Sequence, residues 1–194
     1  MSDVVLATAN PHKAAEISAV LHAAGFSVLP RPVDVPDVHE TADTLEGNAF
    51  LKARAVSEAT GMASVADDTG LFVDALGGRP GVNSARYAGD TASDADNVAR
   101  LLGELADVAA PRRAHFRTVI VVAYPDGTSV TADGELVGQI IDAPRGGEGF
   151  GYDPVFEPDE TPGRTLAELS AEEKNRRSHR GRALAALARI VAEK

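Results

Sequence analysis

Apolar residues in this chain occur as short continuous runs or at helical spacing, and each run ends in a recognisable local signal. Val4-Val5-Leu6-Ala7 is a run suited to a buried strand. It passes into Thr8-Ala9-Asn10-Pro11-His12-Lys13, where Asn10 suits an N-cap and Pro11 the first helical position. The helix predicted there puts Ile17, Val20, Leu21 and Ala24 on one face and stops at Gly25. A strand feeding a helix N-terminus makes an anion site of the free N–H groups, and Lys13 adds a charge. Without a glycine-rich turn ending in Gly-Lys-Ser/Thr it is not a P-loop, and a plain capped helix reads equally well.

Ser27 to Pro30 suits a second strand, followed by a loop to Asp43 that carries Asp34, Asp37, Glu40 and Asp43. Thr44 caps a predicted helix to Thr60, closed by Gly61, with Leu45, Ala49, Lys52, Ala53 and Val56 on one face. Glu46, Asn48 and Lys52 lie close enough along it to point together. A short strand through Ala63, Val65 and Ala66 then runs into Asp67-Asp68-Thr69-Gly70. By residue type this is an acidic turn. Two carboxylates at a strand end also suit a divalent cation, because burying both without one is costly.

Gly77 to Gly81 reads as a rigid turn and Ser84 to Tyr87 as a short extended piece. Ser93 starts a helix with Val98, Leu101, Leu102 and Leu105 inward. Arg113 to Tyr124 is a long strand, Pro125-Asp126-Gly127 a hairpin turn, and strand continues through Ile141, which makes the sheet mixed. Gly146 to Phe156 is glycine-rich beside two aromatics, open to two readings: close approach to a flat ligand, or a loop whose rings plug the core edge. Thr165 and Ser170 both look like helix N-termini. The last helix points Leu184, Leu187, Ala188 and Val191 inward.

Composition narrows the function classes. A formal net charge of −10 and a pI near 4.9 argue against a broad nucleic-acid or membrane-surface footprint. A phosphate ligand would therefore need locally concentrated positive charge, and Lys174, Arg176, Arg177, His179, Arg180 and Arg182 crowd into nine positions. With no cysteine, thiolate catalysis, disulfides and cysteine-ligated zinc are excluded. No secretory signal is visible, and no apolar run approaches the roughly 18 residues that span a bilayer, so the expectation is a soluble, cytoplasmic protein. The 194 residues suit a single domain, 1–194.

Four spaced signatures together resemble the inosine/xanthosine triphosphate pyrophosphatase family, hydrolases of non-standard purine nucleotides. They are Thr8 to Lys13; Ala66-Asp67-Asp68-Thr69-Gly70-Leu71 with Pro80-Gly81 and Ser84 to Tyr87; Phe150-Gly151-Tyr152-Asp153-Pro154; and Glu173-Lys174-Asn175 with Ser178-His179-Arg180. The resemblance implies an elongated, two-lobed α/β fold, a long twisted mixed sheet flanked by helices with the active site in the cleft between lobes. It implies a homodimer and Mg²⁺-dependent cleavage of ITP, dITP or XTP, small-molecule nucleotides, between the α- and β-phosphates. Carried over, Asp68 is the general base and a metal ligand, and Glu40 the second metal-site carboxylate, with Asp37 as the alternative. Thr8, Ala9, Asn10, Pro11, His12 and Lys13 hold the triphosphate with Lys174, and Thr69 stands where serine is common. Phe150 and Tyr152, joined by Gly151, sandwich the purine, and Asp153, His179 and Arg180 meet the base or the neighbouring phosphate.

One departure is local: Glu46-Gly47-Asn48-Ala49 replaces the family's frequent Glu-Asn-Ala and moves the glutamate one residue back. Two other readings are a pyrophosphatase of methylated pyrimidine nucleotides and a nucleotide-binding regulator without catalysis. Ser178-His179-Arg180 and Phe150 to Asp153 count against the first, and Asp67, Asp68, Lys13 and Lys174 against the second.

Overall fold

The structure, a computed structural model, describes residues 3–192. Seven strands form one mixed sheet in the order β2-β1-β3-β5-β6-β7, with β4 paired to β3. They are β1 (Asp3–Leu6), β2 (Ser27–Leu29), β3 (Ser64–Val73), β4 (Pro80–Gly81), β5 (Arg112–Ala123), β6 (Ser129–Ile140) and β7 (Phe156–Pro158). The helices are α1 (Pro11–Ala23), α2 (Leu45–Thr60), α3 (Asp94–Glu104), α4 (Ala171–Arg177) and α5 (His179–Ala192). β1 pairs parallel with β2 and β3, whereas β3–β4 and β6–β7 are antiparallel. The fold is the expected α/β class, with a mixed sheet flanked by helices.

The chain divides into two compact units, each discontinuous in sequence. The first takes residues up to 68, 118–134 and from 179 onward. Its core packs Ile17 and Leu21 of α1 and Leu184 and Leu187 of α5 with Val4, Leu6, Val65 and Ile120 of the strands. The second takes residues 69–117 and 135–178, where Leu71, Val73, Phe116, Leu136 and Phe156 meet Leu101 and Leu105.

Local capping signals place the helices. Asn10 Oδ1 accepts from the N–H groups of His12 and Lys13, and Thr44 Oγ1 from that of Gly47. α2 ends at Gly61 in the left-handed conformation. Ser93, Thr165 and Ser170 each form a reciprocal capping box, although the Thr165 one opens only a 3₁₀ turn (Leu166–Glu168).

Three expectations are corrected. Asp67 to Gly70 is not a turn: β3 runs straight through it. Pairing on both sides overrides the residues' turn preference, with Val5↔Ser64 and Leu6↔Val65 at one end and Leu71↔Gly81 and Phe72↔Pro80 at the other. Gly70 serves close approach instead, since a Cβ there would lie 2.7 Å from the Gly81 carbonyl oxygen. Ser84 to Arg86 is a 3₁₀ turn, not an extended piece, with Ser84 Oγ donating to Gly81 O and accepting from Leu71 N–H. Ala24 is the exposed C-cap of α1 and not part of its buried face.

Candidate active site

The turn from β1 into α1 is built by its own side chains. Thr8 Oγ1 accepts from Asn10 N–H at 3.2 Å, Asn10 caps the helix, and Pro11 opens it. Ala9, Pro11 and His12 are exposed, and Thr8 is buried. Lys13, in the first turn, reaches Asp67 Oδ2 at 3.3 Å.

Asp67 and Asp68 are neighbours on β3, so their side chains leave opposite faces of the strand. Asp67 Oδ2 accepts from Arg180 Nε at 3.1 Å and Nη2 at 3.0 Å, and Arg180 Nη1 donates to Glu16 on α1. Burial alone would raise the Asp67 carboxyl, but the charges of Lys13, Arg180 and Lys52 outweigh it and hold the group well below the usual carboxylate range. Lys13 itself is lowered, by burial and by the nearby Arg180 and Lys52 cations, against the pull of Asp67.

Asp68 faces α2. Lys52 Nζ donates to Asp68 Oδ1 at 3.1 Å and to Glu40 Oε1 at 2.7 Å. Asn48 Nδ2 lies 3.4 Å from Asp68 Oδ2, its amide oriented by Oδ1 accepting from Ala42 N–H. Burial raises the Asp68 carboxyl, and Glu40 adds to this, while Lys52 and Lys13 only partly oppose it. Lys52 is raised: burial lowers it, but Asp68, Asp67 and Glu40 together prevail. Two adjacent carboxylates thus lie in opposite electrostatic settings, one shifted down by the cations around it and one shifted up by burial.

The second unit carries most of the other candidates. Lys174 Nζ donates to Asp153 Oδ2 at 2.7 Å, both side chains buried, and sits 4.6 Å from the centre of the Phe150 ring. Phe150 N–H donates to the same Asp153 oxygen at 2.9 Å. Tyr152 is a core residue whose hydroxyl donates to Ser84 O at 2.8 Å. That packing leaves Phe150 as the more open of the two rings in this conformation. Thr69 is half-buried on β3, directly after Asp68. His179, in the first unit, is buried at the start of α5.

The basic run does not form one patch. Lys174 is buried on Asp153, Arg176 is exposed on Glu172, and Arg180 is buried on Asp67 and Glu16. Glu172 is one helical turn from Arg176, whereas Asp153, Asp67 and Glu16 come from other stretches of the sequence. Lys52, Asn48 and Glu16 complete the first unit's cluster. The first two showed a signal, a lysine on an otherwise apolar helix face and an asparagine one turn before it; Glu16 showed none. Of the two alternatives in the acidic loop, the structure brings Glu40 to Asp68 through Lys52. Asp37 is instead exposed on Arg31 at 3.0 Å.

A magnesium ion is testable against these residues. Among the described residues no group of three or more His, Cys, Asp or Glu gathers as a closed metal cage. Glu40 and Asp68, however, already converge on one cation, the Lys52 ammonium. Two hard oxygen donors and no cage fit an ion that keeps its waters and binds largely through substrate phosphates.

Paired acids, two lysines and a capped helix start are thus gathered in the first unit. The comparisons with known proteins give the family. The model of the Ham1 family matches residues 4–190, and the chain belongs to that family. A dITP/XTP pyrophosphatase of Symbiobacterium thermophilum is 50% identical over 94% of this chain and 91% of its own. One of Streptomyces coelicolor is 48% identical over 100% of this chain and 98% of its own. The solved HAM1 protein of Coxiella burnetii superposes with a TM-score of 0.88 at 40% identity, covering 100% of both chains. A dITP/XTP pyrophosphatase structure from Mycobacterium abscessus gives 0.75 at 46% identity, over 95% and 97%. The chain is accordingly an enzyme of hydrolase type.

Proposed function

We propose that this enzyme hydrolyses the non-standard purine nucleotides dITP, ITP and XTP to the nucleoside monophosphate and pyrophosphate with Mg²⁺. The observation that carries the reading is the sharing of one ammonium by Glu40 and Asp68, next to the Asp67–Lys13 pair at the start of α1. The near full-length relatives named dITP/XTP pyrophosphatases support the substrate class.

Glu40 and Asp68 would hold the ion. Bound there, Mg²⁺ supplies charge neutralisation of the phosphates and a more acidic water. Asp68 orients the attacking water and accepts its proton as the oxygen bonds to the α-phosphorus and the bond to the bridging oxygen breaks. Lys13, Lys52 and the turn from Thr8 to His12 meet the charge developing on departing pyrophosphate. Asp67, held charged by Arg180 and Lys13, fixes where the Lys13 ammonium stands. Lys174 and Asp153 support the Phe150 ring, which stacks on the purine. A fixed donor facing the 6-oxo group would separate inosine and xanthine from adenine by about 1–3 kcal/mol.

The working form in this reading is a cytoplasmic homodimer with a nucleotide ligand and no nucleic-acid or membrane partner. The charge of −10 supports the last point, and among the described residues no helix is long and apolar enough to cross a membrane. The test is product release from dITP, XTP, dGTP and dATP, with and without Mg²⁺. Pyrophosphate from dITP and XTP in the presence of Mg²⁺ is expected. Orthophosphate as first product, or equal rates on dATP, rejects the proposal.

A further inference from the structure

The glycine-rich loop of the second unit is held by a carboxylate from outside it. Gly149 and Gly151 take positive φ, +77° and +62°, and a Cβ at Gly149 would lie 2.2 Å from Asp153 Oδ2. These conformations aim two successive N–H groups at acids. Phe150 N–H donates to Asp153 Oδ2 at 2.9 Å, and Gly151 N–H to Asp94 Oδ2 at 2.7 Å. Asp153 belongs to the loop's own sequence and is neutralised by Lys174. Asp94 does not: it is the exposed first residue of α3, 57 positions away in sequence.

Capping does not account for it. α3 is capped by Ser93 with Asp96, whose Oδ2 accepts from Ser93 N–H at 2.9 Å while Ser93 Oγ accepts from Asp96 N–H at 3.2 Å. The Asp94 carboxylate oxygen is turned instead to a backbone donor between the two aromatic residues, as a short charge-assisted hydrogen bond. Beyond Gly151 the loop is fixed again where the Tyr152 hydroxyl reaches Ser84 O. With Asp153 behind Phe150 and Tyr152 anchored, the Gly151 peptide is the joint that sets how the Phe150 ring is presented.

The geometry points to Asp94 as a positioning residue for the purine, acting through the Gly151 peptide on the ring that stacks the base. It rests on the proposed function and deepens it. The contact of Asp94 on this loop is with the Gly151 N–H, so in this reading its loss weakens recognition of the base and leaves the chemical step alone.

The experiment compares wild type, Asp94→Ala and Asp94→Asn, all shown folded by thermal melting. In Asp94→Ala, amide exchange at residues 149–152 accelerates. KM for dITP and the inhibition constant of dIMP rise about tenfold, the size of a lost charge-assisted hydrogen bond. Turnover and inhibition by pyrophosphate, which has no base, stay at wild-type values. Asp94→Asn, which keeps an acceptor oxygen, restores most of the loss. Unchanged exchange, equal weakening of dIMP and pyrophosphate, or a fall in kcat at constant KM overturns the inference. A wild type that releases no pyrophosphate from dITP rejects the functional reading, whereas an active wild type matched by Asp94→Ala rejects the role of Asp94 alone.

Discussion

Lys174 in one unit and Lys52 in the other both meet carboxylates, in opposite ways. Lys174 faces Asp153 with side-chain exposures of 6% and 5%, a closed pair under the Phe150 ring. Lys52 is divided between Glu40 and Asp68, with exposures of 14%, 24% and 8%. The closed pair matches one ammonium to one carboxylate and braces a loop. The divided lysine faces two carboxylates, so two acids converge on one point at the edge of the first unit's cluster. A buried ion pair is therefore not by itself a reactive site. What distinguishes the two is stoichiometry and access.

The largest effect expected is at the open cluster. Asp68→Asn should lower dITP turnover by about 10³-fold, as loss of a general base does, while nucleotide binding largely persists. Near-normal turnover would remove Asp68 from its proposed role. The lysines should then separate in stability. Lys174→Met leaves the buried Asp153 carboxylate without the Lys174 cation and should cost about 3 kcal/mol in urea unfolding, whereas Lys52→Met, whose partner Glu40 reaches solvent and whose partner Asp68 keeps its contact with Asn48, should cost about 1 kcal/mol. Equal losses would erase the contrast between them. Excess Mg²⁺ should raise the melting temperature of the wild type by stabilising it on the order of 1–3 kcal/mol, and should do so less in Glu40→Gln. The same shift in both proteins would release Glu40 from the metal assignment.

The smallest effect gives the exposed baseline. Glu173 is paired with Arg164 and accepts from the Ser170 N–H of its capping box. These hydrogen bonds, led by Arg164, pull its carboxyl from 4.5 down to about 2. A depressed carboxyl stabilises the fold above its unfolded value and loses that contribution as pH falls through the folded one. The urea stability of wild type relative to Glu173→Gln should therefore be constant above about pH 5 and converge as pH approaches about 2. A gap that widens on acidification would contradict the pairing.

What was legible in the sequence was mostly local. Asn10 with Pro11, Thr44, Gly61 and Ser93 each act on their immediate neighbours, and the helix ends they mark are where the structure has them. The Asp67–Gly70 stretch was misleading because its residue types favour a turn, while its conformation is decided by β1 and β4, which local spacing does not see. In the basic run from Lys174 to Arg182 only the flanking acids Glu172 and Glu173 were visible locally, and the acids that hold Lys174 and Arg180 lie elsewhere in the sequence. Arg180 finds Asp67 113 positions away and Glu16 164 positions away. Glu16 was invisible for the same reason. Glu40 and Asp68 emerged as a pair from resemblance, whereas the lysine that joins them, Lys52, stood out as a charge on an apolar face that could point together with Glu46 and Asn48.

The adjacency of Asp67 and Asp68 on β3 makes their division of labour a question of parity. The ladder of Val5 to Ser64 and Leu6 to Val65 counts the strand into place, and odd and even positions then serve opposite faces. Inserting one residue between Val65 and Asp67 would hand Asp67 to Lys52 and point the other acid toward Arg180, with no side chain altered. Inserting two would restore the faces, though each acid would then stand about 6.6 Å further along the strand. The proposed base is thus specified less by being an aspartate, since its neighbour is one too, than by standing an even number of steps from Ser64, the residue paired with Val5.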